Sequence, residues 1–142
     1  SVPGNPANGK SCTRPVELVS LHKTLADLCG LPIDSKVQGH SLRPLIENPD
    51  AEWEHPAYTQ LGRHLRPTRL GEPDPTPDRP KMYHGRSVRT QRWRYTEWDD
   101  ETNSAELYDH DADPREMRNL ANDPAHAAER ERLKTLLRAG GA

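Results

Sequence analysis

The chain has 142 residues, enough for one domain with a single core. Only 32% are hydrophobic, none is Phe and 14 are Pro, so that core is small. Twenty basic against 22 acidic residues leave a net charge of −2, which excludes the basic surface a general nucleic-acid binder needs. No apolar run approaches a membrane span, and no signal peptide is visible. The chain opens on SVPGNPANGK without a Met, as a piece of something longer would.

Residues 1–14 read as a Gly-, Pro- and Asn-rich loop. VELV, 16–19, is a short apolar run expected as a short strand. SLHKTLADLCG, 20–30, predicts a helix with Ser20 as N-cap, Leu21, Leu25 and Leu28 on one apolar face, and Gly30 and Pro32 ending it. Cys29, closing this apolar stretch, is expected as a buried thiol, and Cys12 lies in a polar loop. Two cysteines are too few for a disulfide framework, and the sequence leaves open whether they are bridged. GHSLRPLI offers a second cap at Ser41 and one helical turn that Pro44 permits.

PAYTQL, 56–61, reads as a strand. The following segment, 62–81, holds five prolines without periodicity. HGRSVRTQRWRYTEWDD, 84–100, carries the β-branched and aromatic content of a hairpin turning at TQR. Period two puts Val88 and Thr90 on one face and Ser87 and Arg89 on the other, with Trp93 and Tyr95 inward and Arg92 and Arg94 in solvent near Glu97. AELYDH, 105–110, is a third strand. PAHAAERERLKTLLRAGG, 124–141, predicts a C-terminal helix with Ala125, Ala128, Leu133, Leu136 and Leu137 as its apolar stripe. The fold class is therefore α+β: a small antiparallel sheet with a helix packed on one face.

Asp109, Asp111 and Asp113 alternate as calcium ligands do, but the positions needing Gly and Glu in such a loop hold Pro114 and Leu120. Asp113-Pro114 reads as a turn opener, with Asn119 and Asn122 as turn or cap residues. The seven His show no spacing that places two ligands on one helical face. No Gly-rich phosphate loop, nucleophile elbow or paired-carboxylate motif is present, so the residues alone define no catalytic or metal site.

The order of segments nonetheless resembles the C-terminal portion of the formylglycine-dependent sulfatases, nearest to the iduronate-2-sulfatase branch and its bacterial relatives. The matching residues are Val19, Leu21, Thr24, Leu25, Gly30, Leu31 and Pro32, then Gly39, Ser41 and Leu42. Arg89, Thr90, Arg94 and Tyr95 follow, then Leu107, Tyr108, Asp109, Asp113, Pro114, Asn119 and Leu120. The resemblance implies that residues 1–50 are the trailing part of a large α/β sulfatase domain and 51–142 its C-terminal subdomain. It implies a parent that hydrolyses sulfate esters of carbohydrates such as iduronate 2-sulfate, using calcium and a formylglycine. That formylglycine is made from a cysteine in a Cys-x-Pro-Ser-Arg motif absent here, so this stretch itself is expected to be inactive scaffolding without cofactor. Its expected partners are the N-terminal catalytic domain and a sulfated carbohydrate, neither nucleic acid nor membrane, in an exported (periplasmic or extracellular) or lysosomal enzyme. The basic run from 63 to 81, with five Arg or Lys, makes Arg63, His64, Arg66, Lys81 and His84 the expected substrate contacts. The residues also allow a free-standing anion- or carbohydrate-binding module, or the end of a related phosphodiesterase.

Overall fold

A computed structural model describes residues 1–64, 82–99 and 104–140 of the chain. The Pro-rich segment, with Arg66 and Lys81, lies outside the described residues. The chain forms two compact units, Ser1–Ala57 and Tyr58–Ala142.

In the first unit, helix α1 spans Ser20–Leu28 and the short helix α2 spans Arg43–Glu47. The expected strand over 16–19 is absent, because Ser20 N–H donates to Glu17 and Leu21 N–H to Leu18, curling these residues into the turn that starts α1. Ser20 is not the cap: Val19 holds that position without a side-chain bond. The Ser20 hydroxyl faces inward and accepts from His40 N–H at 3.1 Å, while Thr24 Oγ1 accepts from Leu42 N–H at 2.9 Å. Two hydroxyls of α1 thus satisfy backbone donors of the loop that returns over it, which explains why Ser20 and Thr24 are buried. The expected apolar face points the other way. Leu21 and Leu25 are each about half exposed, and Leu18 is 90% exposed. Cys29 lies on the exposed side too, and both cysteines are free thiols.

Gly39 makes the return possible. Its φ is +86°, and a Cβ there would stand 2.8 Å from the backbone of Ser20. Ser41 Oγ then donates to Asp27 at 2.6 Å and accepts from Arg43 N–H at 3.3 Å, ahead of α2, whose cap position is Leu42.

The second unit is a four-stranded sheet in sequence order, with β1 Ala57–His64, β2 Met82–Arg89, β3 Trp93–Trp98 and β4 Ser104–Asp109. β2 pairs antiparallel with β3, and β3 with β4, in a register that sets Val88 opposite Tyr95 and Tyr95 opposite Leu107. Those three are fully buried beneath α3 (Ala127–Gly140), which contributes Leu133 and Leu137. The strands and helix agree with the α+β expectation. The helical stripe is shorter than expected. Residues 124–126 form a 3₁₀ turn capped by Asp123, whose different period turns Ala125 and Ala128 outward.

The outer edge of β4 is closed by the loop that follows it. Asn119 Oδ1 accepts from Leu107 N–H at 3.0 Å and from Ala121 N–H at 2.9 Å, and its Nδ2 donates to Ala105 O at 3.1 Å. Leu120 N–H donates to Leu107 O at 2.8 Å. One amide side chain thus occupies edge groups that a further strand would otherwise claim.

Candidate functional site

The helix-bearing face of the sheet carries Val88 and Tyr95 where α3 covers it. Two residues further along each strand the same face turns polar, at Arg86 and Glu97. These are cross-strand partners, and Arg86 Nη2 donates to Glu97 Oε1 at 2.7 Å. Glu97 has no side-chain exposure at all, and its other oxygen lies 3.4 Å from the Tyr95 hydroxyl. The next pair outward is His84 and Asp99. Asp99 Oδ1 accepts from His84 N–H at 2.9 Å, and Asp99 N–H donates to His84 O at 2.8 Å. Asp99 has a φ of +48°, a left-handed turn as β3 ends. With Gln60 of β1, His84, Arg86 and Asp99 line an open depression of about 380 Å³.

Of the sequence-derived contacts, only His84 has a described side chain, and it stands in this depression. Arg63 and His64 occupy the last two positions of β1. Arg86, Glu97, Asp99 and Gln60 were not singled out from sequence as site residues. Their signal was the shared face with Val88, readable once the hairpin register is known.

The alternate aspartates are structural. Asp109 is 5% exposed and receives both Arg92 Nε at 2.9 Å and Arg92 Nη2 at 2.7 Å. That guanidinium holds the Asp109 carboxyl below the usual carboxylate range. Its Oδ1 also accepts from Asp111 N–H, and Asp113 accepts from Arg118 N–H, so both shape the turn. Arg94 is not simply solvated: it pairs with Glu116, which also meets His110 Nε2 at 2.7 Å. Among the described residues no three His, Cys, Asp or Glu side chains come together as metal ligands would.

A meander sheet backed by one helix, with an open polar depression at its end, defines an α+β module rather than an enclosed reaction chamber. Residues 75–140 match the family described as N-sulphoglucosamine sulphohydrolase, C-terminal. The chain belongs to the sulfatase family, to whose C-terminal portion it corresponds. It is 30% identical over 122 residues to an N-acetylglucosamine-6-O-sulfatase of Bacteroides thetaiotaomicron, covering 84% of this chain and 20% of that protein. A Delta 4,5-hexuronate-2-O-sulfatase of the same organism is 33% identical over 109 residues, covering 77% of this chain and 20% of the relative. The structure of a 2-O GAG sulfatase superimposes with a TM-score of 0.62 at 31% identity, over 84% of this chain and 23% of that one. The chain thus spans about a fifth of the length of the curated relatives it matches. No described helix is long and apolar enough to cross a membrane.

Proposed function

We propose that this chain is the C-terminal portion of a sulfatase that cleaves sulfate esters of carbohydrates, iduronate 2-sulfate among them. Its own part is to brace the catalytic domain and shape the rim of the active site. The observation that carries this reading is similarity over more than three quarters of the chain to proteins named as sulfatases of hexosamine and hexuronate. Sulfate transfer develops charge on several oxygens, which calls for a metal and clustered cations in a closed pocket. In this reading calcium and the formylglycine nucleophile belong to the N-terminal catalytic domain of the same protein, and the chain alone is inactive. That domain is also the partner of the exposed apolar face formed by Leu21 and Leu25 of α1 and Leu18 just before it, all too exposed for a finished surface. Nothing in the reading calls for nucleic acid or membrane, and the compartment is the exported or lysosomal one that the resemblance implies.

Arg63, His64, Arg66, Lys81 and His84 form the basic rim that meets the anionic sugar in this reading. Charge reversal of Arg66 and Lys81 in the intact enzyme tests it. The expected result is a several-fold higher KM for sulfated sugars with kcat little changed, since a rim charge contributes to binding in ground and transition states alike. An unchanged KM overturns the rim assignment.

A further inference from the structure

Two imidazoles of the first unit lie face to face. The rings of His40 and His55 stack with centroids 3.7 Å apart and planes 13° from parallel. Trp53 stands edge-on to both, 6.5 Å from His40 and 4.8 Å from His55. The two sides of this stack are held differently. His40 follows Gly39, which lies against the Ser20 backbone, and its own N–H donates to Ser20 Oγ at 3.1 Å, so that ring sits on a fixed base. His55 stands in an irregular stretch, residues 52–56, which runs directly into β1 at Ala57 and so to the boundary between the two units. Trp53 Nε1 donates to Pro15 O at 3.1 Å and secures the stretch up to that residue; beyond it, the rings of His40 and Trp53 receive His55.

Both histidines are exposed enough to exchange protons with water. Neutral imidazoles stack favourably, and one imidazolium on a neutral ring is tolerated. Two protons put like charges face to face at the same 3.7 Å. The surroundings act mainly in the same direction. Burial holds the His40 imidazole below its ordinary value, the facing His55 and Lys23 of α1 add to this, and Glu17 opposes it. Glu52 and Glu54, the acidic neighbours of His55 in sequence, are exposed to water. A histidine depressed in this way favours the stacked form above its ordinary value of 6.5, and that preference is lost as pH falls through the lowered value.

We propose that the His40–His55 stack is an acid-sensitive clasp on the segment joining the two units, closed at neutral pH and opened by protonation of both rings, which frees residues 54–57. This goes beyond the sulfatase reading and does not depend on it.

NMR relaxation of the backbone amides of the 142-residue chain, at about pH 7.5 and about pH 5 on either side of histidine titration, tests the clasp. The order parameters of Glu54, His55 and Ala57 are expected to fall from about 0.85 to below about 0.6 on acidification, while those of β3 stay constant. His55→Phe keeps an aromatic face with no proton to gain, and is expected to abolish the fall. Unchanged order parameters in the native chain, a fall of the same size in His55→Phe, or a loss that spreads to β3 each overturn the proposal. The native chain's own titration decides the question even where the variant fails to fold.

Discussion

Arg86 reaches across the β2–β3 pair to a carboxylate, Glu97, that has no contact with solvent. In a chain with so few large apolar residues, a buried charge at this depth persists only because its partner stands directly opposite in the ladder. Removing one partner leaves the other charge uncompensated. Arg86→Gln should therefore lower the stability of the second unit by about 3 kcal/mol. The double variant Arg86→Gln, Glu97→Gln should recover most of that loss, since two amides can face each other without net charge. Urea titration followed by tryptophan fluorescence measures both. A double variant as unstable as the single one would show that packing, not charge, holds the pair.

Asp109 supplies a pH dependence with a definite sign. Its carboxyl is held low first by the hydrogen bonds from Arg92, and burial only partly offsets this. A group whose pKa is lower folded than unfolded stabilises above its unfolded value, near pH 4, and loses that contribution as pH falls through the folded value. As pH falls below about 5 and through the lowered folded value, the native chain should lose stability more steeply than Asp109→Asn. At neutral pH the variant should be weaker by about 1–3 kcal/mol, the lower end being expected because Arg92 is half exposed. Parallel slopes for the two proteins would remove Asp109 from the acid response.

The outward face of α1 gives the chain a tendency to associate. Leu18, Leu21, Leu25 and Leu31 are all at least half exposed within one unit. Sedimentation of the 142-residue chain should show concentration-dependent self-association, abolished by Leu21→Glu with Leu25→Glu. A monomer at all concentrations would mean that this face tolerates water without a cover.

How much of this was legible in the sequence differs between the two units. The hairpin and third strand were readable because Val88, Tyr95 and Leu107 alternate with polar residues, and period two has a single inward reading when a helix covers one face. The same logic failed for Glu97, which continues the inward face: its burial depends on Arg86 one strand away, and pairing of that kind is invisible in a linear pattern. Helix α1 packs the reverse of its leucine pattern. Leucines at positions 21 and 25 looked like a core stripe, but the hydroxyls of Ser20 and Thr24 are claimed by His40 and Leu42, so the polar face packs inward. Gly39 and Ser41, quoted as a motif, acquire a reason only in three dimensions: one admits the backbone of Ser20, and the other ties down Asp27. The candidate pocket was half legible. His84 is legible from its place beside a basic run, while Asp99, which bonds to its backbone, comes from the end of the opposite strand.

The amide of Asn119, spread along the outer margin of β4, has an implication for how such a module is tolerated in a longer polypeptide. A sheet whose β4 border is already claimed is not extended past that strand by a chain lying alongside it. A larger body that meets the module along β4 must therefore do so through side chains rather than by adding a strand there.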